Sequence, residues 1–224
     1  MKTLSIDIET YSEASLSSTG VYRYAADPSF TILLFAYSVD AGPVQIVDLA
    51  QGESLPAEVE AALSDPSVEK WAFNAQFERV CLSAYLGERL DPRGWYCSMV
   101  WSTYAGIPLN LAGVAQALHL ETEKMSEGKD LIRKFSQPCK ATKTNGGRTR
   151  NLPEHAMEDW ETFKAYCIRD VEVERAIASR LSPLPMPAFE WENYWRDQRF
   201  NDMGVGIDVE LASKAVEADL EIKE

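Results

Sequence analysis

Residues 2–8 alternate, with Leu4, Ile6 and Ile8 on one side and Ser5, Asp7 and Glu9 on the other. A period of two predicts a strand. Thr31–Val39 is β-branched and aromatic, Asp40-Ala41-Gly42 reads as a turn, and Pro43–Leu49 as the hairpin partner. Residues 55–63 keep helical spacing and stop at Asp65-Pro66. A strand over 68–73 closes at Asn74, a good helix N-cap, after which Phe77, Val80, Cys81, Ala84 and Tyr85 recur with helical spacing. A strand follows over 95–100, then helices near 110–119 and 127–135. Residues 136–151 lack periodicity, carry Gly146-Gly147 and read as a long surface loop. Asn151 and Glu154 are placed to cap a long helix whose apolar stripe runs through Trp160, Phe163, Cys167, Val171, Ala178 and Leu181. Pro183, Pro185 and Pro187 end it. A helix from Ala188, a stop at Asp202-Met203-Gly204, an extended stretch over 205–208 and a last helix complete the chain. The order predicts an α/β fold: a mixed sheet, led by an antiparallel hairpin across its first three strands, flanked by helices. The proline cluster divides a domain over 1–185 from an appended helical segment over 186–224. No internal repeat is present.

At 224 residues with 46% hydrophobic and 25% charged positions, the chain can build one core and is neither disordered nor fibrous. No apolar run approaches the ~20 residues of a membrane span, and Met1-Lys2-Thr3 leads straight into the first strand. The expectation is a cytoplasmic protein without membrane contact. A net charge of −13 excludes a nonspecific nucleic-acid coat, but not an enzyme that meets phosphates through bound cations. The basic residues are unevenly spread: eight lie between Lys124 and Arg150, against two acids. That face attracts a phosphate backbone, whether 136–150 is a solvated loop or a flap that orders on a strand. Cys81, Cys97, Cys139 and Cys167 form no CxxC pair, and with only His119 and His155 beside them they read as free thiols rather than zinc ligands.

Asp7 and Glu9, two apart on a strand, project from one face and repel unless one is protonated or a cation lies between them. Taken alone, such a pair also fits a solvated strand face. Asp170 and Tyr166, one helical turn apart, share an edge of the long helix's buried face. Glu78 falls in the first turn of the helix after Asn74, where the helix dipole favours an acid.

Asp7-Ile8-Glu9-Thr10, Asn74-Ala75-Gln76-Phe77-Glu78 and Tyr166-Cys167-Ile168-Arg169-Asp170, in this order, resemble the DEDD superfamily of 3′–5′ exonucleases, which have a ribonuclease H-like fold. The Tyr166-to-Asp170 spacing is that of its tyrosine subclass. Residues 20–24, 95–99 and 124–132, with Lys124 and the run Gly128–Ile132, are similar to the proofreading domain of phage-encoded family A DNA polymerases. Asn201–Asp208 looks like the junction leading towards a polymerase thumb. The resemblance implies that Asp7, Glu9 and Asp170 hold two Mg²⁺ or Mn²⁺ ions, Asp7 bridging both. Glu78 stands where aspartate is usual and completes the ligand set. Tyr166 would orient the attacking water. Thr10 and Asn74 would contact the terminal nucleotide, and Phe77 would pack on its base or sugar. The implied partners are a single-stranded or frayed DNA 3′ end and a covalently linked polymerase. Two rival readings are an RNA 3′ exonuclease of the same superfamily and a catalytically impaired DNA-binding module.

Overall fold

The computed structural model describes residues 1–120 and 128–223. Strands β1 (Thr3–Tyr11), β2 (Thr31–Val39), β3 (Gln45–Asp48), β4 (Glu69–Ala72) and β5 (Trp95–Cys97) form one sheet in the order β3-β2-β1-β4-β5. The first three are antiparallel neighbours, as the alternation and turn residues predict. β4 and β5 add on the other side of β1 in parallel. Parallel neighbours need crossovers, and α2 (Ala57–Ser64) and α3 (Ala75–Leu86) supply them.

The period-two pattern sorts side chains to two buried faces. Leu4, Ile6 and Ile8 pack with Phe35 and Tyr37 beneath α1 (Leu16–Ala25), α2 and α3. Tyr11, Leu34 and Ala36 face the opposite layer, where α6 (Gly128–Phe135) and α7 (Met157–Leu181) contribute Phe135, Trp160, Phe163 and Tyr166. A third cluster joins α4 (Ser98–Tyr104), α5 (Leu111–Ala117), the end of α7 and α8 (Ala188–Met203) through Trp101, Val114, Ile177 and Trp191. So α8 folds back onto the body after the proline cluster. In contrast, every described side chain of α9 (Val209–Lys223) is exposed. Among the described residues no helix is long and apolar enough to cross a membrane.

Three local expectations are corrected and one element goes unpredicted. The strand over 95–100 ends at Cys97, and α4 takes over at Ser98 so that Trp101 can enter the third cluster. Asn74 stands at the helix start but makes no side-chain cap; its backbone is left-handed (φ 78°, ψ 45°), a conformation asparagine tolerates better than most residues. α7 begins at Met157 rather than at an Asn151–Glu154 cap, because Asn151 is committed to the preceding loop: it accepts from Arg148 Nε (3.0 Å) and donates to Lys134 O (2.8 Å). α1 has no counterpart in the periodicity, since Gly20 (φ 74°, ψ 167°) splits it into two short turns. Lys124 and position 127, where a helix is expected to begin, lie outside the described residues; that helix is described from Gly128.

Candidate active site

Open α/β sheets place their crevice beyond the carboxyl ends of parallel strands, where the strand order switches direction. Here β1 is antiparallel to β2 and parallel to β4, so its carboxyl end is such a point. Asp7 and Glu9 come from that end of β1 and lie on the side that faces α7. The Cys167 thiol donates to Asp7 Oδ2 at 3.3 Å. A bulge between Glu9 and Thr10 shifts the register against β2. Thr10 turns to the other side, where its hydroxyl and the Tyr24 hydroxyl are 2.8 Å apart. The β4–α3 junction brings Asn74, Phe77 and Glu78 to the same end, and α7 presents Tyr166 and Asp170. All eight residues singled out in the sequence line one cavity of about 1020 Å³. Asn74 is exposed there, while Phe77 is half-buried and rests against the Tyr24 ring at a centroid distance of 6.1 Å.

The site is buried and acidic. Burial, and then the Asp7 charge, raises the Glu78 carboxyl well above its ordinary value. Its Oε2 is buried without a hydrogen-bond partner among the described residues. Burial, followed by the charges of Asp170, Glu9 and Asp7, raises the Tyr166 phenol well above its ordinary value. Among the described residues no three carboxylate, cysteine or histidine side chains close on a common point. What the cavity offers a cation is hard oxygen donors, one of them buried and unsatisfied, in a field that opposes further negative charge. That donor chemistry fits Mg²⁺ or Mn²⁺.

Two neighbours of this site are given no role by the sequence reading. Gly128 begins α6 directly over Tyr166: a Cβ added there would lie 2.1 Å from the ring. Glycine is required by space, since its side-chain hydrogen is all that fits. Gly128→Ala is therefore expected to displace the ring and lower turnover by about 10–100-fold, since misplacement by about 1 Å can cost that much. Steady-state kinetics beside a melting curve checks it; full activity at native stability would show that the ring's position does not matter.

The second is Glu174, on α7 one turn beyond Asp170. It is 2% exposed and both carboxylate oxygens lack a hydrogen-bond partner among the described residues. Ser5 and Ser98 soften its burial without meeting bonding geometry, and the Ser98 hydroxyl is turned to Ala72 O (3.4 Å). Burial pushes its carboxyl up to about 7 from an ordinary 4.5. Between those values the folded chain holds a proton that the unfolded chain has lost, so this group's contribution to stability falls as pH rises through the interval. At about 1.4 kcal/mol per tenfold change in proton affinity, the cost above pH 7 is on the order of 3 kcal/mol. Glu174→Gln removes it. Its melting temperature should exceed the native one by about 5–10 °C at pH 8 and match it near pH 4.5. A pH-independent difference would show that the carboxyl does not titrate in this interval.

Over 219 residues, 98% of its length, the chain is 53% identical to a DNA polymerase of Bacillus phage SP02, and it spans 34% of that polymerase. NrnC from Brucella melitensis, solved with bound Mg²⁺, superposes with a TM-score of 0.54 at 13% identity, covering 91% of this chain and 87% of NrnC. RNase D from Escherichia coli, an exoribonuclease involved in structured RNA processing, gives 0.53 at 13%, covering 92% of this chain and 46% of RNase D. No protein-family model matches. At such identities the structural likenesses establish the fold alone, which is ribonuclease H-like.

Proposed function

We propose that this chain, kin to about a third of a phage DNA polymerase and ribonuclease H-like in fold, is a divalent-metal-dependent 3′–5′ exonuclease that releases nucleoside 5′-monophosphates from DNA 3′ ends. One observation carries the reading. Asp7, Glu9, Glu78, Tyr166 and Asp170, drawn from three segments far apart in sequence, meet in a single cavity. Asp7, Glu9, Asp170 and Glu78 would hold two Mg²⁺ or Mn²⁺ ions. Bound there, the ions supply an activated water and neutralise charge on the leaving oxygen.

The chain's own groups do the rest. Tyr166, whose phenol burial holds above its ordinary value, would donate a hydrogen bond that aligns the incoming water. Asn74 at the rim and Thr10 in the wall contact the terminal nucleotide. Phe77, backed by Tyr24, gives a base or sugar an apolar surface. Residues 1–185 contain every one of these groups. We assign 186–224 to the connection towards a linked polymerase, with α8 docked and α9 leading away. The setting is the cytoplasm in which the DNA is copied.

The test is a 5′-labelled single strand and a 3′-recessed mismatched duplex, incubated with Mg²⁺, Mn²⁺ or EDTA beside an RNA strand of the same sequence. A ladder shortening from the DNA 3′ end only when metal is present supports the reading. Faster loss of RNA would make the chain a ribonuclease. DNA bound but uncut with either metal would leave a binding module.

A further inference from the structure

Residues 136–151 carry four cations and no acid, and the proposed chemistry uses none of them. Their conformation is organised from within. Asn145 pins the loop: its Oδ1 accepts from Thr142 N (2.9 Å) and Gly147 N (3.2 Å), and its Nδ2 donates to Lys140 O (2.8 Å) and Arg148 O (3.2 Å). Cys139 N closes the base on Thr149 O at 2.7 Å. The loop is also fixed to the body. The Arg150 guanidinium lies 3.9 Å over the ring of Tyr11, two residues beyond Glu9, and Asn151 holds Lys134 O. At its start, Ser136, Gln137 and Pro138 form part of the wall of the active-site cavity.

The charges divide into spent and available ones. Arg133 is paired with Asp130, and Lys134 with Asp159. Arg148 is turned inward onto Asn151 and Asn145 O, and Arg150 onto Tyr11. Lys140 and Lys143 are exposed and make no ion pair with another described residue. The loop thus holds two cations outward on a pinned frame that starts at the rim of the site. A pinned frame loses little conformational entropy when it binds, and cations attract phosphates wherever counterions are released.

We propose that this loop is a preformed phosphate-binding arm: Lys140 and Lys143 hold the backbone of the DNA strand several nucleotides upstream of the 3′ end seated in the cavity. The inference rests on the exonuclease reading and extends it by assigning where the strand leaves the site. The arm makes affinity depend on strand length and salt, while the chemistry at the terminal phosphodiester stays independent of it.

The test compares the native chain with Lys140→Ala/Lys143→Ala, Lys140→Arg/Lys143→Arg and Asn145→Ala. Binding of a fluorescein-labelled twelve-residue oligothymidylate is measured in EDTA across a salt series, and cleavage of a thymidine dinucleotide is measured with Mg²⁺. Removing both lysines is expected to weaken oligonucleotide binding about tenfold at 0.1 M salt and to lower the slope of log affinity against log salt by about 1.4, the single-strand value for two phosphates. The arginine pair keeps the native slope, Asn145→Ala weakens binding with both lysines present, and dinucleotide cleavage is unchanged throughout. Native affinity and slope in the double alanine variant would overturn the arm. An inert native chain in the cleavage assay would overturn the exonuclease reading instead, and the EDTA titration would still decide the arm.

Discussion

Asp7→Asn abolishes hydrolysis, by at least about a thousandfold, in a protein that without divalent metal melts higher than the native chain at pH 8. The two effects have one cause. Burial is the first cause that raises Glu78, Tyr166 and the Cys167 thiol, and the Asp7 charge adds to it at all three. Glu78 is raised by burial first, so below its folded value the folded chain keeps a proton, and stability falls as pH rises through the interval above 4.5. Neutralising Asp7 relieves part of that repulsion. A divalent cation would relieve it in the native chain. At a hundred times its dissociation constant, such a ligand stabilises by about 2.7 kcal/mol, or about 5–10 °C for a chain of this length. Asp7→Asn should lose most of that metal-dependent rise together with its activity. Differential scanning fluorimetry at pH 8, with and without Mg²⁺ or Mn²⁺, reads both. A variant that keeps a tenth of native activity and the full metal-dependent shift would remove Asp7 from the site.

What the sequence reveals here depends on how regular the local pattern is. β1 alternates without interruption, and its two faces are the two faces found. The long helix shows its stripe, and Tyr166 and Asp170 lie on it as spacing predicts. Glu174 falls inside that stripe, between Val171 and Ala178, and an acid at a core-facing position is a readable signal. α1 hides its helix because Gly20 breaks the period, and its serine-rich start carries little apolar pattern. β5 and α4 run together as one apolar stretch, and only the third cluster decides where extended chain becomes helix. Gly128 stands in a run that carries the family resemblance, but its role cannot be read from the sequence: it is a contact with Tyr166, 38 positions away. The pairing of Arg79 with Asp202 is invisible for the same reason, since no local period relates residues 123 apart.

Asp202→Ala is expected to cost about 3–5 kcal/mol of stability, the usual result of stripping one partner from a buried ion pair. Arg79 follows Glu78 on α3, and its side chain is 2% exposed. Its two terminal nitrogens meet Asp202 at 2.9 and 2.7 Å, with Leu90 O at 3.0 Å and the Gln198 amide oxygen at 3.4 Å as remaining acceptors. Tyr22 of α1 donates to the same carboxylate at 2.7 Å, so one acid at the end of α8 joins three helices. Removing it leaves a guanidinium buried on two neutral acceptors, and the melting temperature should fall by about 10 °C. Arg79→Met together with Asp202→Ala removes both charges and should recover most of the loss, because the penalty lies in the orphaned cation more than in the missing attraction. A single variant melting within about 2 °C of native would mean that Arg79 reaches water. α8 would then be held chiefly by its packed aromatic side chains, Trp191, Tyr194 and Trp195. If the loss appears as expected, the segment after the proline cluster stabilises the same helix that carries Glu78, and truncation before Asp202 should weaken the fold beneath the site without touching a residue inside it.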